Sequence, residues 1–303
     1  MKNILVLVHD DDGQEARLQV AFDIVRAVRG HLTCVDVVTV PVFVGEYMGV
    51  GGDALLLEDE KARESRNAVA LKARLEHEDV PYDWVDATGD PATCIRAAAK
   101  LADLIVVNRR LDGSWYPDMS EITGELVAKG RRPVMAVPQG ASRLDLSGNV
   151  VIAWDGSDSA EAAMRAALPL LAFAASVTLL QVDDGSVKTP AVEAARYLSR
   201  HGIEASVQIE DGRGRKVTDI VRTVLASRTA SYLVMGGFDH PRWVESMFGG
   251  TTDTMIDHSP VPVLLAHRSG GCLPAPLTRE GEAATTPVRR FCRMIERKVQ
   301  KSV

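Results

Sequence analysis

The chain carries two copies of one pattern, and this internal duplication constrains the fold more than any other feature of the sequence. Residues 3–8 (NILVLV) and 149–154 (NVVIAW) are short apolar runs that each end in an acidic turn, and an amphipathic segment of helical period follows both. Near the ends of the two copies, residues 132–138 (RPVMAVP) match residues 261–267 (VPVLLAH). Self-similarity over such a length indicates two copies of one structural unit.

We assign the two units to residues 1–140 and 147–268, with a short polar linker between them and a tail of different composition at residues 269–303. The apolar runs of each unit are short and continuous, without alternation, and they are separated by segments of helical period. This arrangement is typical of strands buried on both faces of a parallel sheet. The predicted fold class is therefore α/β, with about five parallel strands in each unit.

Composition narrows the class of protein. A chain of 303 residues with a formal net charge of −6 has room for two domains but lacks the basic excess that neutralises phosphates, so we expect no nucleic acid partner. The four cysteines form no CxxC pair, which argues against a disulfide framework and a zinc site. The N-terminal apolar run is too short for a signal peptide, and no apolar stretch approaches the roughly 20 residues that span a bilayer. We therefore expect a cytoplasmic protein.

The first unit contains an insertion at residues 40–65, between its second predicted strand and the next helix. Its glycine and methionine content is compatible with a mobile flap over the sheet edge. We interpret the segment as a long loop.

Two glycine pairs bracket a loop and a helical segment in the second unit: Gly236-Gly237 and Gly249-Gly250. Glycines before a helix N-terminus can cradle a phosphate, and Thr251 and Thr252 can cap a helix that begins near Asp253. Two glycines inside a helix would instead cost roughly 2 kcal/mol relative to alanine, which indicates the close approach of a ligand or of another backbone. Ordinary loop geometry is the other interpretation of these glycines.

These motifs resemble those of the universal stress protein family, and the duplicated chain resembles a tandem, two-domain UspA-like member. The resemblance rests on the strand with its DGS turn and Ala-rich helix, and on the terminal block of spaced glycines, Thr252 and PVPV. It implies two Rossmann-like domains of the adenine nucleotide α hydrolase type, and the C-terminal extension that follows them has no counterpart in the family pattern. It also implies a division into members that bind ATP and members that do not.

The family pattern transfers to the second unit residue by residue. Asp155 stands where ATP-binding members place the aspartate for the nucleoside, and Val182 stands at the hydrophobic position against adenine. Gly236 and Gly249 stand at the first and third glycines of the phosphate motif. The candidate cofactor-binding residues are therefore Asp155, Val182, Gly236, Gly237, Gly249, Gly250, Thr251 and Thr252.

Two positions of the second unit depart from that motif. Asp239 occupies the second glycine position, and Gly250 occupies the position of a phosphate-binding hydroxyl. A carboxylate beside a triphosphate is repulsive unless Mg²⁺ lies between them, and Thr251 or Thr252 can replace the missing hydroxyl. The cofactor expected on this basis is ATP with Mg²⁺, and ATP-free members of the family remain the alternative.

The first unit departs further, so we predict that it binds no nucleotide. His9 stands where the second unit has Asp155, and Ser120 and Glu121 replace the second glycine pair. The acidic run at residues 10–12 can hold Mg²⁺ or cap the following helix, and we predict no metal site there. No motif for a nucleophilic enzyme occurs, and we predict no catalytic residue.

The tail at residues 269–303 begins with a Gly-, Pro- and Thr-rich stretch and ends in a basic amphipathic segment, with seven basic and three acidic side chains in total. Such a segment can contact an acidic partner or an anionic membrane surface. It can equally serve as a solubilising or oligomer-packing helix.

Together these features predict a stress-response regulatory module with an adenine nucleotide site in its second half, and no dedicated enzyme. The resemblance implies that the last strands of the two units pair within the chain, and a homodimer is a further possibility. Two alternatives stay open: a ligand-free scaffold that acts through the tail, and a slow adenine-nucleotide hydrolase dependent on Asp239 or His240.

Overall fold

The computed structural model describes residues 1–39, 52–112, 117–237 and 251–267. In the first unit the elements are β1 (Asn3–Val8), α1 (Gln14–Val28), β2 (His31–Thr39), α2 (Gly52–Leu75), β3 (Tyr82–Gly89), α3 (Pro91–Ala98) with a 3-10 turn (Ala99–Leu101), β4 (Leu104–Asn108), α4 (Met119–Lys129) and β5 (Val134–Val137). In the second they are β6 (Asn149–Trp154), α5 (Asp158–Leu171), β7 (Ser176–Asp183), α6 (Ala191–Arg200), β8 (Ala205–Asp211), α7 (Val217–Ser227), β9 (Ala230–Gly236), α8 (Thr251–His258) and β10 (Val263–Ala266).

The strands form a single sheet in the order β3-β2-β1-β4-β5-β10-β9-β6-β7-β8. All pairs within a unit are parallel, which confirms the predicted α/β fold class. The units join where β5 runs antiparallel to β10, with Met135 beside Leu264. The carboxyl ends of the parallel strands in each unit therefore lie at one edge, where ligands of such sheets bind.

Alternate residues of each strand feed two apolar cores, one on each face of the sheet. In β1, Ile4 and Val6 belong to a core shared with α1, α2, α5 and α6. Leu5 and Leu7 belong to the opposite core, shared with α3, α4, α7 and α8. The central strands are thus buried on both faces, while the edge strands β3 and β8 alternate between covered and exposed side chains.

Side-chain caps mark the starts of three helices. Asp90 accepts a hydrogen bond from the Thr93 backbone at α3, and Ser157 accepts one from Ala160 at α5. Asp118 caps α4 in the same manner. These caps satisfy N–H groups that the first helical turn leaves unpaired, so the sequence itself sets where these helices begin.

Two local predictions were wrong. Residues 52–65 do not form a loop, because they belong to the long helix α2, whose Leu-, Ala-, Glu- and Lys-rich sequence favours helix. Residues 40–51 of the predicted loop or flap lie outside the described part of the chain. Thr251 and Thr252 do not cap a helix that begins near Asp253, because both already lie within α8.

Contacts between α4 and α8 join the units on one face of the sheet. The Ser120 hydroxyl donates to the Asp257 carboxylate over 2.7 Å. Arg109 donates to the Asp257 carbonyl over 2.6 Å. These bonds tie the C-terminal end of α8 to the first unit. Among the helices within the described ranges, none is long and apolar enough to cross a membrane.

Candidate functional site

Strand register brings three of the predicted site residues to within one residue of the same height at the carboxyl edge of the second unit. Trp154, the last residue of β6, lies beside Gln181, so Asp155 and Val182 follow at the same height. Ile152 lies beside Val234, two residues before the ends of β6 and β9, so Gly236 lies beside Trp154, one residue before Asp155. The structure therefore gathers residues that are far apart in sequence.

Asp155 forms the turn between β6 and α5. Its side chain is exposed, and one carboxylate oxygen accepts a hydrogen bond from the Ser157 backbone over 2.9 Å. Ser157 in turn caps α5. The turn thus presents a carboxylate at the sheet edge beside a helix N-terminus, where hydroxyl groups of a ligand can donate to it.

The segment that follows β7 crosses this turn and is bonded to it. The Lys188 backbone donates to the Asp155 carbonyl over 3.0 Å, and the Trp154 indole donates to the Thr189 carbonyl over 2.8 Å. Gly156 has a φ of +72°, and a Cβ there would lie 2.1 Å from the Thr189 backbone nitrogen. The turn therefore requires glycine, and the crossing segment forms a fixed wall beside Asp155.

The first glycine pair, Gly236-Gly237, packs closely against two helices, α5 and α4. A Cβ at Gly236 would lie 2.5 Å from the Ala160 backbone nitrogen, in the first turn of α5. A Cβ at Gly237 would lie 2.7 Å from the Val127 side chain of α4. Close packing within the protein therefore explains why glycine stands at both positions, independently of any ligand. Gly249, Gly250 and Asp239 lie outside the described residues.

The remaining predicted residues differ in exposure. Val182 is half-buried and lies against the turn after β8, since a Cβ at Gly212 would come 2.8 Å from its methyl group. Thr252 is buried in α8, and Thr251 is half-buried. Of the two threonines, Thr251 is the more accessible to a ligand.

At the first unit's equivalent of the phosphate position, an aspartate side chain caps the helix. The carboxylate of Asp118 accepts hydrogen bonds from the backbones of Ser120 and Glu121, over 2.9 and 3.3 Å. An anion thus already occupies the N–H groups at the start of α4, where a phosphate would need them. This geometry gives a physical reason for the prediction that the first unit binds no nucleotide.

His9, at the carboxyl end of β1, is buried and bonded to α2. Its Nδ1 lies 2.8 Å from a Glu64 carboxylate oxygen and 3.8 Å from one of Glu60, and 3.3 Å from the Val37 carbonyl. Burial alone would raise the pKa of Glu64, but the hydrogen bond and charge of His9, with the Asp10 backbone, hold it below the ordinary value. The sequence analysis missed this cluster, although Glu60 and Glu64 stand one helical turn apart.

One residue of the acidic run at residues 10–12, Asp11, forms a salt bridge with the buried Arg17. The Asp11 carboxylate accepts two hydrogen bonds from the Arg17 guanidinium, over 2.7 and 2.9 Å. The same guanidinium donates to Asn108 and to the carbonyls of Leu7 and His9. Asp11 is therefore the counter-ion of a buried arginine, and the N-cap of α1 is Gly13, which has no side chain to cap with.

The cysteines described by the structure offer no activated nucleophile. Cys34 is buried in β2, and burial, with the charge of Asp36, raises the pKa of its thiol to about 12. Cys94 on α3 is half-buried, and burial raises its pKa too. Because the thiolate is the reactive form, both side chains fit packing roles.

Comparison with known proteins assigns both units to one family. The model of the Universal stress protein family matches residues 1–138 and again residues 147–267. The structure is similar to that of a universal stress protein from Archaeoglobus fulgidus DSM 4304, with a TM-score of 0.68 and 20% identity, over 88% of this chain and 98% of that one. It is also similar to a functionally unknown protein from Pseudomonas aeruginosa PAO1, with a TM-score of 0.58 and 16% identity, over 88% and 92% of the chains.

Among curated proteins, no match was found. At these identities the solved structures support the fold alone, whereas the family model covers most of the chain. The strand order is the same in both units, and the family model matches each unit separately. Both observations indicate two copies of one domain. The chain belongs to the universal stress protein family, as a tandem member with two copies of the family's domain.

Proposed function

We propose that this protein is a regulatory module of the stress response that binds an adenine nucleotide in its second unit. The observation that carries the proposal is the convergence of Asp155, Val182 and Gly236 at the carboxyl edge of β6, β7 and β9. In a parallel α/β sheet this edge is where nucleotides bind. The nucleotide is sensed and released, and the module is not a dedicated enzyme.

Each residue has a role that its chemistry supports. The exposed Asp155 carboxylate accepts hydrogen bonds from the ribose hydroxyls, and the half-buried Val182 packs against the adenine ring. The backbone and the threonine at the start of α8, Thr251, lie on the phosphate side. The wall formed by the crossing segment at Thr189 bounds the site next to Asp155.

The two departures from the family motif set the role of Mg²⁺. Asp239 and Gly250 stand at the phosphate end, so the proposal requires a cation between the Asp239 carboxylate and the phosphates. ATP is therefore expected to bind with Mg²⁺ and to bind weakly in its absence. The acidic overall charge adds to this requirement, because it repels a free triphosphate.

The test is calorimetric titration of the full chain with ATP and Mg²⁺. We expect micromolar binding that Asp155→Ala weakens at least about tenfold, because two charge-assisted hydrogen bonds to the ribose are lost. Gly249→Asp is expected to abolish binding, because it adds a carboxylate at the phosphate position.

Asp211→Ala is the matched control. Asp211 ends β8, is exposed, and accepts a hydrogen bond from the backbone two residues later, as Asp155 does. Its replacement should leave the affinity unchanged. Absence of binding to the wild-type chain, or equal losses in Asp155→Ala and Asp211→Ala, would refute the proposal.

A further inference from the structure

The buried cluster at the carboxyl end of β1 has the donor set of a metal site. His9, Glu60 and Glu64 each offer one ligand atom, and these atoms lie within 4.8 Å of one another. One imidazole nitrogen with carboxylate oxygens is a donor set that Zn²⁺ and other divalent transition metals accept. The cluster lies in the first unit, at the position that corresponds to Asp155 in the second.

The fold supplies these donors from two elements. Glu60 and Glu64 are one helical turn apart on α2, so their carboxylates share a face. His9 follows β1 directly and meets them from the sheet. Metal binding would replace the proton on His9 Nδ1, which faces Glu64, and would release that proton to solvent.

A second observation, independent of the cluster, is an orphaned oxygen on Asp36. Asp36 lies on β2 and is only 5% exposed, yet its Oδ1 has no hydrogen-bond partner among the described residues. It lines a cavity of about 450 Å³ together with Glu64. Leaving a buried carboxylate oxygen without a partner is costly, and a cation beside it removes that cost.

Acidic side chains outnumber basic ones around this cavity and the cluster, which also favours a bound cation. Three carboxyl groups line the cavity, from Asp36, Glu64 and Asp86, and Glu60 lies beside Glu64 in the cluster. The basic groups that face them are Arg63, which is 2.8 Å from Glu60 and 3.7 Å from Glu64, His9, which is 2.8 Å from Glu64, and Lys72, which lines the cavity. A divalent cation would neutralise the remaining excess.

Neighbouring groups also hold the donors in place. The Asp10 backbone donates to both oxygens of Glu64, and the Thr39 hydroxyl donates to Glu60 over 2.9 Å. Such outer hydrogen bonds fix the orientation of ligands in metal sites. We propose that His9, Glu60 and Glu64, with Asp36 as the fourth donor or the holder of a bound water, form a divalent transition-metal site in the first unit.

The experiment is titration of metal-depleted full-length protein with Zn²⁺, followed by calorimetry, and with Co²⁺, followed by its visible absorption bands. No nucleotide is added. We expect one ion per chain and an increase in the thermal midpoint. Glu60→Gln should weaken binding at least about tenfold and remove the cobalt bands, and Asp36→Asn should weaken it by about 10–100-fold.

The control is Glu58→Gln, which makes the same charge change at an exposed position of the same helix and should leave binding intact. If Glu60→Gln misfolds, Glu60→Asp keeps the charge but withdraws the ligand atom and should show the same loss. Absence of stoichiometric binding, or equal affinity in Glu60→Gln and Glu58→Gln, would overturn the proposal. Because Asp155→Ala lies in the other unit and should retain the metal, failure here is distinguishable from failure of the nucleotide proposal.

Discussion

The carboxyl group of Asp36 is buried on β2 among other acidic side chains. Burial is the main cause that raises its pKa, and the charges of Glu64 and Asp86 raise it further, to about 7. In the unfolded chain the same group has its ordinary value of 3.8. The folded state therefore holds a proton on Asp36 between about pH 4 and 7 that the unfolded state has lost.

This difference predicts that Asp36 makes the protein less stable as the pH rises. Between about pH 4 and 7 the folded state binds more protons, so the free energy of unfolding falls with pH, and it levels off above the folded pKa. Asp36→Asn should remove this component and should stabilise the protein at pH 8 by on the order of 2–4 kcal/mol. The measurement is urea denaturation of both proteins in EDTA at pH 5, 6, 7 and 8.

Other groups also titrate in this range, and Glu64 acts in the opposite direction because its pKa is lowered. The informative quantity is therefore the difference between wild type and Asp36→Asn at each pH. A difference that does not grow from pH 5 to pH 8 would contradict the buried, proton-holding carboxyl described here.

At the residue scale, sequence patterns predicted the residues of one candidate site and missed those of the other. Asp155 and Val182 could be found because each directly follows an apolar run, and parallel pairing brings the ends of such runs together. The contact of His9 with Glu64 could not be found in the same way. It joins residues about 55 positions apart and depends on the path of α2, which no local pattern around His9 specifies.

Among the elements, α2 shows why local patterns were insufficient. The segment after β2 begins with glycines and β-branched residues that suggest a loop, whereas Leu, Ala, Glu and Lys dominate from residue 54 onward. The prediction of one loop over residues 40–65 did not separate these two compositions, so it missed the start of the helix. The helix is also longer than its counterpart α6 in the second unit, so the repeat gave no guide to its extent.

The contact between β9 and α5 yields a prediction about Gly236. The two atoms nearest to its missing Cβ are backbone atoms of Ser159 and Ala160, which cannot move aside as a flexible side chain can. Gly236→Ala should therefore destabilise the protein by about 1–3 kcal/mol, because it overpacks this junction. The measurement is chemical denaturation at constant pH.

Gly140 provides the control for this substitution. A Cβ there would meet no atom within 4 Å, and the residue is exposed in the linker region. Gly140→Ala should leave stability unchanged or raise it slightly, since it restricts the unfolded chain. Similar effects of the two substitutions would show that the close approach at Gly236 has no energetic weight.

On the scale of the whole molecule, the central feature is the antiparallel pairing of β5 with β10. It converts two five-stranded sheets into one sheet of ten strands, and it covers the edge that each unit would otherwise expose. The pairing is nearly symmetric, since Val134, Met135 and Ala136 lie beside Leu265, Leu264 and Val263. Both strands are completely buried.

This symmetry predicts how the first unit behaves alone. A chain of residues 1–146 would expose β5, whose four apolar residues present unpaired backbone groups, and an antiparallel copy of β5 can replace β10. We therefore expect this fragment to form a homodimer, with a dissociation constant in the micromolar range or below, because an open apolar edge favours pairing with another chain. Sedimentation velocity over a range of concentrations measures it.

Met135→Pro tests whether the β5 edge mediates that dimer. Proline removes a backbone donor at the centre of β5 and prevents continuous pairing, so the fragment should become monomeric or aggregate without a defined dimer. Leu32→Met, a volume-conserving change in the core on β2, three strands from β5, should dimerise as the unsubstituted fragment does. A monomeric unsubstituted fragment would show that β5 alone cannot pair, and that the contacts of Ser120 and Arg109 with Asp257 are required to hold the two units together.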